Sequence, residues 1–238
     1  DGYIDHYKYV FPYLKKKKIQ GIFYPPKKVI ENKIVLDVNK IHFILEKEQN
    51  RKKILTEIKN YLKRKNYKIS IDKVTQEIDL RNRWDDKETI LIKRLLQFYL
   101  PRIIREKTIN HLFKKILNTS LKSFSKKIYM NSNHLKEMFS ENMSFGSHGV
   151  NHRWMEHLTK KEQEKEIKDS INYFTRLRIV DKNFSFCYPY GSFNQVTINL
   201  LKKYNISYSF TTNPKSINRR NISNYFTYPR FDTNDFIF

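Results

Sequence analysis

Cysteine, acidic residues and long apolar runs are all scarce in this sequence. The single Cys187 among 238 residues excludes an intrachain disulfide framework. No apolar run approaches the length that a bilayer-spanning helix needs, and no signal-peptide pattern opens the chain. The chain begins at Asp1 without an initiator Met, so we expect a segment upstream of it. At this length a single α/β domain with a full core is the simplest expectation.

The shortage of acids leaves the chain strongly basic. It has 47 Lys and Arg against 24 Asp and Glu, a formal charge of +23. Such a balance favours anionic partners such as nucleic acid, acidic glycans or anionic lipid. A compositional bias towards Lys, Asn, Ile, Tyr and Phe is the preferred explanation of the charge, because the lysines are scattered over most predicted helices. The run Lys15 to Lys18 is then interpreted as a solvated helix end.

The first part of the chain predicts a helix, a strand and a long helical segment. Residues 4–18 have apolar residues at helical spacing, with Pro12 favouring a break or a late start. "GIFYPP" (21–26) predicts a short strand that two prolines stop. Residues 33–38 are either extended or helical. From 44 to 140 the chain has long, charged segments of helical period, which predict a helical insertion within one domain spanning 1–238.

After residue 140 short strands alternate with helices. The predicted elements are a strand at 143–148, a helix at 159–178, a strand at 184–191, a helix at 194–205 and a strand at 206–212. Thr159 and Glu162 form a capping-box pattern at the start of the first of these helices. Alternation of this kind predicts βα units with a largely parallel sheet or barrel, whose chemistry lies at the strand ends.

Three predicted strand ends carry unusual residues. They are Asp1-Gly2, the pair His148 and His152, and the turn Pro189-Tyr190-Gly191. Two imidazoles and a carboxylate are the ligand set of a zinc site that keeps a position open for water. If residues 148–152 form a helical turn, a spacing of four puts both rings on one face. Taken alone, the histidine pair is interpreted as two surface imidazoles; the Asp-Gly start and the Pro-Tyr-Gly turn at the other strand ends favour metal ligands.

Three blocks in order carry a resemblance to a known family. "DGYIDHYKYVFPYLKKKKIQGIFY", "SFGSHGVNHRWMEHLTKKEQEKEIKDS" and "FSFCYPYGSFNQVTINLLKKYNISYSFTT" together resemble the polysaccharide deacetylases of the NodB-homology class, also called carbohydrate esterase family 4. The resemblance covers about three-quarters of the chain and implies an α/β fold, a distorted (β/α)7-type barrel with a helical insertion. It also implies a hydrolase that removes N-acetyl groups from hexosamine units of a polysaccharide or cell-surface glycan with a divalent metal, normally zinc.

The resemblance implies a role for each residue of the strand-end set. Asp1, His148 and His152 would be the metal ligands. The backbone N–H of Tyr190, between Pro189 and Gly191, would help to bind the oxyanion. The catalytic base would be an Asp immediately before Asp1.

The sequence departs from the family pattern in three places. The expected base lies outside the chain, Cys187 stands where the family usually has an Arg that orients the base, and no histidine after His157 matches the family's late general acid. Asp232 to Phe236 only faintly matches the family's Asp-x-x-Asp-Trp motif.

Other hypotheses follow from these departures and from the charge. One is a catalytically impaired glycan-binding relative of the same fold, and a less favoured one is a basic nucleic-acid-binding protein. Trp154 and Phe184 are candidates for stacking on a sugar, although most aromatic residues are expected in the core. Cys187 is interpreted as a small buried apolar residue and not as a nucleophile. The glycan substrate favours the cell envelope or the exterior over the cytoplasm, whereas membrane association and oligomeric state stay open.

Overall fold

The computed structural model describes residues 1–31, 33–77, 85–217 and 225–236. It contains two compact units. Unit 1 combines Asp1–Ile34 with Ser125–Phe238, and unit 2 is Val35–Phe124. Residues 125–140 of the predicted insertion 44–140 therefore belong to unit 1, and residues 35–43 belong to unit 2. The assignment of the whole chain to a single domain stays a prediction.

Unit 1 is built on short parallel strands. The strands are β1 (Ile22–Phe23), β2 (Ser144–Phe145), β3 (Phe186–Cys187) and β4 (Ser209–Phe210). β1 pairs with β2 and β3 pairs with β4, both in parallel, and a parallel bridge from Ser147 to Phe186 connects the two pairs. A further parallel bridge joins Phe210 to Tyr228. The predicted parallel pairing is confirmed, and neighbours along this row follow chain order.

The described helices of unit 1 surround these strands. They are α1 (Phe11–Lys16), α2 (Lys27–Ile30), α9 (Ser132–Ser140), α10 (Lys160–Leu177) and α11 (Gln195–Lys203), together with the end of α8 (Leu121–Ile128). Thr159 caps α10 as predicted, because the Thr159 hydroxyl accepts from the Glu162 N–H while the Glu162 carboxylate accepts from the Thr159 N–H. Its apolar stripe, with Ile167 and Phe174 fully buried, packs into the unit 1 core.

The first helix shows how Pro12 is accommodated. A π-helical turn at His6–Val10 passes directly into α1, and Pro12 lies in the first turn of α1. A proline is tolerated there because its missing N–H falls at a position where the regular hydrogen-bond pattern changes. Pro12 thus marks a change of helical pitch within the predicted 4–18 segment.

Unit 2 contains only helices as regular elements within its described ranges, 35–77 and 85–124. They are α3 (Asp37–Lys47), α4 (Arg51–Arg64), α5 (Ile71–Glu77), α6 (Lys87–Arg94), a π-helical turn (Leu95–Tyr99) and α7 (Arg102–Leu117), followed by the start of α8. They share a core of Ile and Leu side chains. Lys40 on α3 is buried and donates to Asp37 and to Asn110 on α7, so its charge is neutralised within the packed pair. None of the described helices in either unit is long and apolar enough to cross a membrane.

Candidate metal centre

Asp1, His148 and His152 converge, although Asp1 belongs to the first segment of unit 1 and the histidines to its second. One ligand atom from each lies within 4.8 Å of the others. Asp1 is placed by its neighbour Gly2, whose carbonyl accepts from the Met130 N–H at 2.9 Å. The histidines follow β2, at the end of the parallel row where strands give way to loops. The structure thus brings together all three residues that the resemblance implies as ligands.

The distances between these atoms suit a shared divalent ion. Oδ1 of Asp1 lies 3.2 Å from Nε2 of His152 and 3.5 Å from Nε2 of His148. Ligands bound tetrahedrally to zinc at ordinary lengths are about 3.3–3.5 Å apart. Both histidines are buried and Asp1 is half-buried, so the set opens to solvent on the Asp1 side. The donor set and its spacing therefore fit a zinc-like ion with room for a further ligand.

The segment that carries the histidines is a loop, so the helical turn considered for residues 148–152 is not formed. Gly149 and His152 both have positive φ, +75° and +55°. These left-handed residues turn the chain back on itself, and the two rings still meet at 4.6 Å between centroids. The rings therefore converge through a compact loop and not through helical periodicity.

A buried carboxylate on α10 holds this loop. Glu166 Oε2 accepts from the N–H groups of Val150 (2.7 Å) and Asn151 (2.8 Å), and Oε1 accepts from the Asn151 side-chain amide. Three donors thus satisfy a carboxylate that is only 4% exposed. The sequence analysis missed Glu166. The available signal was its place on α10 between Gln163 and Ser170, which are also buried polar residues at helical spacing.

His148 is held neutral and correctly oriented. Its Nδ1 donates to the Cys187 carbonyl at 2.5 Å, which leaves Nε2 directed towards Asp1. Desolvation by burial, reinforced by the nearby His152, lowers the pKa of His148 well below its ordinary value of 6.5. A neutral imidazole whose other nitrogen is fixed by a carbonyl is the usual state of a metal-binding histidine.

The turn Pro189–Gly191 lies beside the same loop. Tyr190 adopts φ +58° and ψ +11°, a left-handed conformation that costs a non-glycine residue free energy. Gly191, at φ +71°, is required sterically, because a Cβ there would lie 2.3 Å from Thr212 Oγ1. The Tyr190 ring lies 4.6 Å from the His152 ring between centroids. The turn Pro189–Gly191, the third strand end that the sequence singled out, therefore lies next to the loop 148–152 that carries the histidines.

Of the two candidate sugar-stacking aromatics, only Trp154 is near this site. Its ring stacks on Tyr190 at 4.5 Å between centroids and 6° between planes. Trp154 and Tyr190 are both half-buried, so they form an aromatic wall beside His152. Phe184 is 5% exposed and packs in the core, which excludes it from direct contact with a sugar.

Cys187 is buried, as expected for a small apolar residue at a strand end. Burial raises the pKa of its thiol, and the positive charge of Arg230 opposes that rise. The Arg230 guanidinium hydrogen-bonds the thiol. Arg230 follows the segment that pairs with β4 through Tyr228, and its N–H donates to the Asn213 carbonyl. A guanidinium from elsewhere in the chain thus reaches the position where the resemblance led us to expect an arginine side chain.

Comparisons with known proteins point to the same family as the three sequence blocks. The family model described as polysaccharide deacetylase matches residues 107–209. YxkH of Bacillus subtilis strain 168, provisionally named as a polysaccharide deacetylase, is 28% identical over 98 residues, which is 41% of this chain and 35% of that protein. The matched part therefore spans about a third of the length of this curated relative.

Two solved structures share the fold over nearly the whole chain. IcaB from Ammonifex degensii has a TM-score of 0.51 at 13% identity, covering 99% of this chain and 66% of its own. The BpsB deacetylase domain from Bordetella bronchiseptica has a TM-score of 0.50 at 12% identity, covering 97% and 67%. At these identities the likeness establishes the fold alone. The family match over residues 107–209, the curated relative and the three sequence blocks together support a polysaccharide deacetylase domain of the NodB-homology class.

Proposed function

We propose that this chain forms the metal-dependent catalytic domain of a hydrolase that removes N-acetyl groups from hexosamine units of a polysaccharide or cell-surface glycan. The observation that carries the proposal is the spacing of Asp1, His148 and His152, which matches the edges of a zinc coordination tetrahedron. The family match supports the reaction class. We further propose that the parallel row closes into a distorted (β/α)7-type barrel and that the protein acts in the cell envelope or outside the cell.

In this proposal Asp1, His148 and His152 hold a divalent ion, with zinc favoured by the nitrogen-rich donor set. Such an ion lowers the pKa of a water molecule towards neutrality and polarises the acetyl carbonyl. The Nε2 atom of His148 is ready to bind without first losing a proton, because burial has already lowered the pKa of His148. Glu166 keeps the loop between the two histidines in one conformation.

The Pro189–Gly191 turn acts on the substrate side. The Tyr190 N–H donates to the oxyanion that develops as the acetyl carbon becomes tetrahedral, a contribution of roughly 3 kcal/mol for one such donor. The left-handed conformation of Tyr190 aims this N–H without movement during the reaction. The aromatic wall of Trp154 and Tyr190 excludes water and contacts the apolar face of the sugar ring.

Acetate release from N-acetylglucosamine oligomers tests the proposal. We expect zinc-dependent release that a chelator abolishes and that His148→Ala removes, with His157→Ala as the control because His157 is an exposed histidine of the same segment. Activity that survives the chelator or His148→Ala would contradict the proposal. Saturable binding of the oligomer without acetate release, also by protein that carries the Asp expected before Asp1, would favour the alternative, a glycan-binding relative that has lost its chemistry.

A further inference from the structure

Exposed apolar side chains are concentrated near the start of unit 1. Tyr9 (69% exposed), Val10 (40%), Tyr13 (60%), Ile19 (52%) and Ile22 (42%) all lie within 14 residues. We call this surface the Tyr9–Ile22 face. The other large apolar side chains exposed in the described part of the chain are scattered between Phe98 and Phe236. Compositional bias accounts for many lysines and aromatics, but it does not explain why the exposed apolar ones cluster here.

The same face is strongly basic. Lys8 and the run Lys15 to Lys18 are exposed, and the sequence has no Asp or Glu between residues 6 and 30. Lys17 Nζ lies 5.9 Å from the centroid of the Tyr13 ring, so charge and aromatic surface are interleaved. Lys15 forms an ion pair with Glu141 at 2.9 Å. The sequence alone favoured a solvated helix end for this run; the structure adds apolar side chains that water does not stabilise.

The segment is anchored from the opposite side. Phe11 is buried, and Tyr7 and Leu14 pack against the unit 1 core. The inner side of the helix is therefore occupied, and the Tyr9–Ile22 face is available without unfolding. A helix whose inner side is held in this way docks on a surface and does not insert into it.

The basic end of the face lies away from the metal centre. The chain leaves the centre at Asp1, runs through about 11 helical residues, or roughly 16 Å, to Lys16, and returns through β1. The carbonyls of Gly21 and Phe23 accept from Ser144 and Gly146, so β1 runs alongside the strand that leads to His148. Lys15 to Ile22 are thus near the start of these strands, and the ligand loop is at their end.

We propose that the Tyr9–Ile22 face docks on an anionic lipid bilayer. Lysines are attracted to anionic head groups. Tyr and Ile side chains are stabilised when they leave water for the apolar boundary of the bilayer. Nucleic acid or an acidic glycan would engage the lysines but offers no such boundary to the aliphatic side chains. With its basic end on lipid, unit 1 holds the metal centre away from the bilayer.

Co-sedimentation with vesicles tests this inference independently of the proposed reaction. The purified chain is mixed with phosphatidylcholine vesicles that either contain or lack phosphatidylglycerol, at moderate and at high salt. We expect binding only to the anionic vesicles. Tyr9→Ser with Tyr13→Ser leaves the net charge unchanged and should weaken binding by about fivefold or more. Lys16→Glu with Lys18→Glu should weaken it by more than about tenfold.

The same change of charge at another place on the protein separates the effect of local charge on vesicle binding from the effect of net charge. Lys160 and Lys161 are exposed at the start of α10, where Glu suits the helix dipole, so Lys160→Glu with Lys161→Glu should fold and bind vesicles as the parent does. Unchanged thermal unfolding confirms that each variant is folded. The inference is overturned if the parent does not bind anionic vesicles, if the tyrosine pair has no effect, or if the control pair weakens binding as much as Lys16 and Lys18 do.

Discussion

The carboxylate of Glu166 accepts a hydrogen bond from the Val150 N–H at 2.7 Å. This contact connects α10 to the loop between the two histidines of the candidate metal centre, and the Asn151 N–H at 2.8 Å strengthens it. A side chain that cannot itself reach the ligand position thus determines where the ligands point. Positioning groups of this kind are measurable through the affinity of the ion.

Glu166→Gln should lower zinc affinity by roughly 10- to 100-fold while the protein remains folded. An amide can accept through its oxygen only, so its NH2 group would face a donor that Glu166 Oε1 or Oε2 now satisfies. Competition with a chromophoric chelator measures the affinity. Glu164→Gln is the control, because Glu164 lies on the same helix and bonds outward to Lys203 and Tyr204. Equal affinities for the two variants would show that Glu166 has no positioning role.

Asp1→Asn should weaken zinc binding by more than the roughly 10- to 100-fold that loss of an outer hydrogen-bond partner costs. The substitution keeps the shape of the side chain and removes the negative charge nearest to both Nε2 atoms. Asp5→Asn removes an exposed carboxylate from the same segment and serves as the comparison. Isothermal titration of the metal-free protein gives the affinity and the stoichiometry. A site that binds zinc equally well after Asp1→Asn would remove Asp1 from the ligand set.

Acidification should destabilise the metal-free fold between pH 6.5 and about 4. Burial lowers the pKa of His6 from 6.5 to about 4 and also lowers that of His148. In this window the unfolded chain binds protons that the folded chain excludes. The contribution of these two histidines to the free energy of unfolding is therefore fully present above pH 6.5 and is lost as the pH falls. The slope is at most about 1.4 kcal/mol per pH unit for each such proton.

Urea unfolding at several pH values measures this dependence. His6→Asn should flatten it by removing one of the excluded protons, whereas His157→Asn, at an exposed position, should leave it unchanged. A stability that rises as the pH falls from 6.5 would contradict the burial of neutral histidines.

Thr159→Ala should lower the free energy of unfolding by about 1 kcal/mol, because it removes the hydroxyl that caps α10. Thr175→Ala makes the same chemical change within α10. There the hydroxyl bonds only to the Ile171 carbonyl, and Ala is the better helix former, so stability should hold or rise slightly. Chemical denaturation of the two variants gives the comparison. Similar losses at both positions would mean that the capping box does not stabilise α10.

Local patterns in the sequence determined most of the elements of unit 1. The Thr159 capping box and the stripe at Ile167 and Phe174 predicted α10, because caps and helical period depend only on nearby residues. The Pro-Tyr-Gly turn was also predictable from the sequence, because the backbone conformation of a turn depends on its own residues. The three blocks in order carried the family resemblance, and through it Asp1, His148 and His152 as expected ligands.

Only the tertiary structure decided how these elements meet. It brought Asp1 next to His152 across most of the chain, made residues 148–152 a loop and not the helical turn that a spacing of four allows, and buried Glu166 beneath that loop. It also placed Arg230 near Cys187. The limits of the helical unit, Val35 and Phe124, were likewise set by packing. These outcomes depend on pairing and packing between distant segments, and one-dimensional periodicity does not encode which distant partner a side chain will find.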